Sequence, residues 1–150
     1  MALLTPELLA NIGKRAEPRR EIATRRDIRK YSVATAQTDA RFLAGDIAPP
    51  LYHVALFWDV VPLEELTPDG VSVDSLLPKL PLERAMAGGL KIEYHQLIHA
   101  DDVLVANRTL TNLYEKEGRS GTLIFYEIVM EVATESGAPV LTETTTRLLR

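Results

Sequence analysis

The sequence has 150 residues, 46% of them hydrophobic and 25% charged, which is typical of one globular domain with its own core. It has no cysteine, so disulfides, thiolate metal sites and cysteine nucleophiles are excluded. The net charge of −4 argues against a general nucleic-acid binder, and no apolar run approaches the roughly 20 residues of a membrane span. The first residues lack the basic region and the long apolar region of a secretory signal, so none is expected. We therefore expect a soluble cytoplasmic protein, a single domain over residues 1–150, without a nucleic-acid or membrane partner.

Positive charge is concentrated near the N-terminus. Residues 14–30 carry eight basic side chains and three acidic ones. This pattern is typical of a solvated arginine-rich helix, although it could also attract a phosphate-bearing ligand or an acidic partner.

Two helices are expected in the first 35 residues. Thr5 and Pro6 indicate a helix start, because threonine caps a helix and proline suits its first position. A second helix is predicted from Thr24, with Asp27 three residues later in a variant of the capping box. Residues 17–22, between the two helices, are polar and interrupted by a proline.

The third predicted helix is apolar. It follows Pro49 and Pro50 and covers residues 51–58. Prolines are tolerated at a helix start because the first N–H groups have no intrahelical partner. A helix without a polar face must be buried on most sides, and a sheet that curls around it would bury it.

The C-terminal half has the two-residue period of strands. Residues 61–89, rich in proline and glycine, are predicted as a long loop of the kind that is usually functional or interface-forming. Strand candidates follow at residues 91–98, 103–114, 122–132 and 140–149. Short turns join them, which indicates an antiparallel meander. We predict the α+β class, with an antiparallel sheet wrapped around a central apolar helix.

Histidines and aspartates are the candidates for chemistry. His95 and His99 share a face if their strand continues to His99, and they are either proton carriers or a surface pair. His53 lies on the apolar helix, where a core histidine is the other interpretation. Asp59 could act as a base at the end of that helix. No metal-ligand spacing, P-loop or GxGxxG motif occurs, so neither a metal nor a cofactor is expected.

Five segments stand in a distinctive order: residues 48–53, 87–95, 101–104, 115–121 and 149–150. In this order they resemble the N-terminal half of MaoC-like hydratases/dehydratases, close to those that hydrate mesaconyl-CoA or methylfumaryl-CoA. The resemblance implies a hot-dog fold, pairing of two hot-dog units, and reversible addition of water to an α,β-unsaturated acyl thioester. It also implies an Asp and a His in a D-x-N-P-x-H motif, and helix-terminal N–H groups that polarise the thioester carbonyl.

The sequence departs from that catalytic pattern. Residues 36–42, where the motif is expected, contain Asp39 but no following Asn–Pro–His, and Pro49 and Pro50 remove two N–H donors. The leading hypothesis is therefore one subunit of an acyl-CoA hydratase/dehydratase, which supplies the substrate-binding half to a second, catalytic hot-dog chain. The substrate is carried by CoA or a carrier protein. The alternatives are an autonomous homodimeric hydratase or thioesterase, and a non-enzymatic acyl-CoA or acyl-carrier binding module.

Site residues follow from these hypotheses. An autonomous enzyme would draw its catalytic residues from His95, His53, Asp39 and Asp59. The residues expected to bind substrate are Tyr52, His53, Leu56, Trp58, Gly88, Gly89 and His95. The candidates for binding CoA phosphates are Arg19, Arg20, Arg25 and Arg26.

Overall fold

The computed structural model describes residues 2–67, 70–72, 74–119 and 121–150. Its helices are α1 (Pro6–Leu9), α2 (Arg25–Ala34), α3 (Ala40–Ala44) and α4 (Tyr52–Phe57), followed by a 3₁₀ turn at Leu63–Glu65. Its strands are β1 (Arg19–Ile22), β2 (Ala85–Tyr94), β3 (Val103–Gly118), β4 (Gly121–Thr134) and β5 (Pro139–Leu149). The predicted α+β class is confirmed.

The strands form one antiparallel sheet in the order β1-β3-β4-β5-β2. The hairpins β3–β4 and β4–β5 make the predicted meander. The two edge strands come from earlier in the chain, so each joins the sheet over a long sequence separation. The β3–β4 hairpin closes where Gly118 pairs with Gly121. The serine of the predicted turn, Ser120, lies outside the described residues.

The two predicted helix starts are confirmed by their caps. The Thr5 hydroxyl accepts a hydrogen bond from the Leu8 N–H, and the Thr24 hydroxyl accepts one from the Asp27 N–H. The Thr24 hydroxyl also donates to the Asp27 carboxylate at 2.7 Å, a bond between the two side chains rather than the carboxylate–backbone bond of a full capping box. α2 buries Ile28 and Ser32 and exposes its charged side, as expected for an amphipathic helix.

The inner face of the sheet packs against α4. Along β4, the alternate side chains predicted to share a face are all buried: Ile124, Tyr126, Ile128, Met130 and Val132. On α4, Tyr52, His53 and Phe57 are buried against this face. Leu51 and Trp58, at the two ends of the segment, are 42% and 58% exposed, so the predicted burial of residues 51–58 is wrong at both ends. The helix is also shorter than predicted, and both prolines precede it, as expected.

Apolar side chains collect in two clusters on the inner face. One surrounds Ile28, Tyr52 and Leu104, and the other surrounds Leu76, Leu110 and Ile124. Between them the sheet carries polar side chains, described below. No helix within the described ranges is both long and apolar enough to cross a membrane.

Three local predictions need correction. The polar segment before α2 contains β1, which the sequence pattern did not predict. Gly88 and Gly89 lie inside β2 rather than in a loop, at an irregularity between Ala87 and Gly89. A Cβ at Gly88 would lie 3.1 Å from the Thr146 carbonyl oxygen, so the strand approaches its neighbour closely there. β2 ends at Tyr94, so the strand does not continue to His99.

Candidate functional site

A cavity of about 400 Å³ lies between α4 and the inner face of the sheet. Its apolar wall includes Val54, Phe57 and Trp58 from α4 and its end, and Leu90, Ile128 and Met130 from the strands. Ser72 and Asp74, from the segment between α4 and β2, line another side of the cavity. The cavity therefore has the mixed character of a small-molecule site, with an apolar wall and a few polar groups.

The polar groups stand in a row on the inner face of β5. Glu143, Thr145 and Arg147 alternate along the strand and lie opposite Met130, Ile128 and Tyr126 of β4. Directly opposed residues of antiparallel strands project from the same face. The row is therefore aimed at the cavity, where charged groups cost free energy unless they are paired. The sequence did not indicate these residues as site residues, because their polar side chains interrupt the apolar alternation between Leu141 and Leu149.

Glu143 forms a buried pair with His53. The His53 Nε2 lies 2.6 Å from a Glu143 carboxylate oxygen, and the side chains are 1% and 13% exposed. The Thr145 hydroxyl donates to the other carboxylate oxygen at 3.0 Å. Burial acts to raise the pKa of Glu143, but the hydrogen bonds from His53 and Thr145 and the nearby positive charges lower it overall. The carboxylate is therefore ionised at neutral pH, and His53 must donate through Nε2.

The second ring nitrogen of His53 is closed to ligands. Nδ1 is buried and has no hydrogen-bond partner among the described residues. The ring also packs edge-on against Tyr94, with centroids 6.3 Å apart. With one nitrogen held by Glu143 and the other shielded, His53 has no free nitrogen to exchange a proton with a molecule in the cavity.

Two further ion pairs lie beside the cavity. Arg108 on β3 pairs with Asp74, and both side chains are largely buried. Arg19 on β1 donates to the Asp59 carboxylate at 2.6 Å and to the Phe57 carbonyl oxygen at 2.8 Å. The pair fixes the end of α4 against the sheet edge. Asp59, one of the predicted bases, is thus held by an arginine and not by a histidine.

The predicted substrate-binding residues divide into two groups. His53, Trp58 and Gly89 line the cavity. Tyr52, Leu56, Gly88 and His95 do not. Tyr52 points into the core, where its ring packs edge-on against Tyr31, and burial together with the Asp27 charge raises the pKa of Tyr52 to about 12.

The remaining catalytic candidates lie apart from the cavity. Asp39 caps α3, and hydrogen bonds from Arg41 lower the pKa of this carboxyl. His95 is exposed, with its Nε2 3.3 Å from the Thr142 hydroxyl. In the described chain, no three His, Asp or Glu side chains gather as a metal site would need.

Most of the predicted phosphate-binding arginines have carboxylate partners. Arg20 pairs with Glu135 at 2.9 Å, and Arg25 pairs with Asp46. Arg26 is exposed on α2. A role in binding CoA phosphates stays a prediction for these residues and for Arg19.

Known proteins resemble the chain in both sequence and fold. A model of the FAS1-like dehydratase domain region matches residues 10–143. The chain belongs to this family. The mesaconyl-C(4)-CoA hydratase of Chloroflexus aurantiacus is 29% identical to the chain over 85 residues, which cover 56% of this chain and 30% of that protein. The match therefore spans less than a third of the length of this curated relative.

Solved structures agree on the fold of this dehydratase-family chain. A chain of the ChsH1–ChsH2 complex of Mycobacterium tuberculosis superposes with a TM-score of 0.68 at 12% identity, covering 95% of this chain and 91% of that one. A MaoC-like dehydratase of Phytophthora capsici gives 0.65 at 20% identity, covering 98% and 49%. The predicted hot-dog fold and the MaoC-like resemblance are confirmed.

The catalytic motif that the resemblance implies fits a second segment of the chain. Residues 46–51 match the D-x-N-P-x-H motif better than residues 36–42 do, because Asp46 and Pro49 both stand at their motif positions. Ala48 stands where the motif has asparagine, and Leu51 where it has histidine. Leu51 has a positive φ of 67°, and its N–H donates to the Tyr94 hydroxyl at 3.1 Å.

Proposed function

We propose that this chain is the substrate-binding half of a hydratase/dehydratase that adds water to an α,β-unsaturated acyl thioester, and that a second hot-dog chain supplies the catalytic Asp and His. The observation that carries the proposal is Leu51 at the histidine position of the motif. A leucine side chain can neither accept nor donate the proton that the reaction moves. Asp46, the matching carboxylate, is exposed and paired with Arg25.

The cavity supports the binding role. It lies on the inner face of the sheet, and its apolar wall suits an acyl chain. Addition or removal of water needs no redox group, so the proposed substrate is the thioester of CoA or of a carrier protein without a further cofactor. The absence of cysteine fits a reducing cytoplasm.

The edge of the sheet supports pairing with a second chain. β2 forms one margin, with no strand beyond it in the described chain, and it exposes Met86 and Leu90. A long edge strand with exposed apolar side chains is a surface that proteins normally cover. A hot-dog partner, either a different chain or a second copy, would cover it.

Hydration of crotonyl-CoA tests the proposal. The purified chain should show no loss of the enoyl absorbance, whereas its mixture with a hot-dog chain that carries an intact D-x-N-P-x-H motif should. The control is the same mixture with the partner's motif histidine replaced by alanine. Robust turnover by this chain alone would contradict the proposal. A thermal shift by CoA thioesters with no product in any pairing would instead indicate a binding module.

A second candidate is an autonomous homodimeric hydratase or thioesterase that uses His53, although the shielded Nδ1 of His53 counts against it. The His53–Glu143 pair joins a histidine to a carboxylate beside the cavity, although the carboxylate is neither Asp39 nor Asp59 as predicted. His53→Asn, which keeps a polar side chain, tests this candidate. If the isolated wild-type chain hydrates or hydrolyses thioesters and His53→Asn abolishes this activity without changing the far-UV spectrum, the result favours an autonomous enzyme. If the isolated wild-type chain has no such activity, the result contradicts this candidate.

A further inference from the structure

Another cavity, of about 550 Å³, lies between the sheet and the segment that connects α4 to β2. Its apolar wall includes Leu77, Leu80 and Leu82 from that segment, and Tyr126 and Leu149 from the strands. These side chains belong to the second apolar cluster or pack against it, so the cavity lies at the margin of the core. Protein interiors leave few voids larger than a water molecule, whereas a cavity of this size is typical of a small-molecule site.

The segment that covers this cavity is fixed to the rest of the fold. Asp74 pairs with Arg108 of β3, and both side chains are largely buried. The Lys14 Nζ donates to the Ser75 carbonyl oxygen at 3.1 Å, and Leu76 is buried. The wall is therefore in place before a ligand arrives, which lowers the entropic cost of binding.

This cavity opens at a different place from the cavity beside α4. The two cavities have a common wall, formed by Ser72, Asp74 and Tyr126. Away from this wall, the cavity beside α4 has exposed side chains at Trp58 and Leu90. The 550 Å³ cavity instead has exposed side chains at Lys79 and Arg84, which mark its mouth. A molecule in one cavity therefore need not block the other.

The mouth carries more positive than negative charge. Among the described residues, neither Lys79 nor Arg84 forms a salt bridge. The acidic lining residues are Glu83, which is exposed, and Asp74, whose charge is neutralised by Arg108. Two cations thus face one carboxylate at the mouth, which favours an anionic group there.

We propose that this cavity is a second ligand site, which binds an organic anion with its apolar body inside and one acidic group at the mouth, near Lys79 and Arg84. The apolar wall decides which end enters. Burial of an unpaired charge costs free energy, whereas burial of the apolar body is favourable, so the acidic group stays at the mouth. The site is separate from the thioester cavity, and the inference does not rest on the proposed function.

Two fluorescent probes with the same aromatic rings test the proposal: anilinonaphthalene sulfonate, which is anionic, and N-phenylnaphthylamine, which is neutral. Each should bind one site per chain. The sulfonate should bind about 3- to 10-fold more tightly, the range for contacts with exposed cations. The double variant Lys79→Gln/Arg84→Gln should remove this preference and leave binding of the neutral probe unchanged. Both positions are exposed, so the substitutions should preserve the fold.

A pair of leucine-to-tryptophan variants locates the probes. Leu82→Trp fills part of the 550 Å³ cavity and should weaken binding of both probes by about 10-fold or more. Leu90→Trp is the matched control, because it adds the same side chain to the wall of the cavity beside α4, and it should leave both affinities unchanged. If Leu82→Trp does not fold, the double variant at the mouth still decides the proposal.

The remaining outcomes would each refute the proposal. Equal affinity of the wild type for the two probes, or a sulfonate preference that survives in the double variant, would remove the role of the mouth. Weaker binding in Leu90→Trp but not in Leu82→Trp would place the probes in the cavity beside α4. Failure of both probes to bind would leave no second site. The hydration of crotonyl-CoA described above tests the proposed function separately.

Discussion

Breaking the His53–Glu143 pair should cost a large part of the free energy of folding. With side chains 1% and 13% exposed, the pair is in the buried regime, where removing one partner costs about 3–5 kcal/mol. A domain of this size has only about 5–15 kcal/mol in total. His53→Phe leaves the carboxylate with Thr145 alone, and Glu143→Met leaves the imidazole N–H without an acceptor. We therefore expect each single variant to be strongly destabilised.

The double variant His53→Phe/Glu143→Met separates this explanation from a simple loss of packing. Replacing both partners by apolar side chains removes both desolvation costs, so the double variant should be more stable than the sum of the single losses predicts. The coupling should reach about 0.5–3 kcal/mol, measured by urea unfolding of the four proteins. Additive losses, or a cost below about 1 kcal/mol for Glu143→Met, would refute the reasoning.

The same pair gives the protein an acid-sensitive component of stability. The pKa of Glu143 is lowered in the folded protein relative to its ordinary value of 4.5. Its contribution is therefore fully present above about pH 4.5 and is lost as the pH falls through the lowered folded-state value. Subtracting the unfolding free energies of Glu143→Met from those of the wild type between pH 6 and 3 should show this loss, and a flat difference would contradict it.

Four further substitutions test the packing by thermal and urea unfolding. Gly88→Ala should destabilise the protein by about 1–3 kcal/mol, because its Cβ would lie 3.1 Å from the Thr146 backbone oxygen. Gly89→Ala is the control and should be neutral or slightly stabilising, because its Cβ meets nothing within 4 Å. Equal effects of the two substitutions would contradict the close approach. Gly45→Ala should cost more than about 1–2 kcal/mol, because φ is 78° and the new Cβ would lie 2.5 Å from a backbone oxygen of α2. Leu104→Ala, at a fully buried position, should lower the free energy of unfolding by about 2–5 kcal/mol. A loss below about 1 kcal/mol would mean that neighbouring side chains move to fill the cavity left by the leucine.

The elements that the sequence predicted well are those with strong local signals. The alternation from Ile124 to Val132 fixes the buried face of β4, and Thr24 with Asp27 fixes the start of α2. β1 was missed because it is short and polar and pairs with β3 residues far along the chain. Such a strand is stabilised by its partner and not by its own pattern.

The site was harder to predict than the fold, because its contacts are distant in sequence. His53 and Glu143 are 90 residues apart, and no local motif joins them. On β5 the buried face carries a glutamate, a threonine and an arginine, so it lacks the apolar alternation that marks a core face. Gly88 and Gly89 indicated a loop because glycine weakens strands, yet here a close approach between strands requires the first of them.

The strand order has a consequence for synthesis on the ribosome. β1 and β2 emerge before the strands that pair with them, and β2 must wait for β5. β1 can pair once β3 has emerged, but until β5 is made β2 has free backbone donors and acceptors, a state that is prone to mispairing between neighbouring nascent chains. Nascent chains that are stalled before β5 is synthesised should therefore bind chaperones, and nascent chains that include β5 should not.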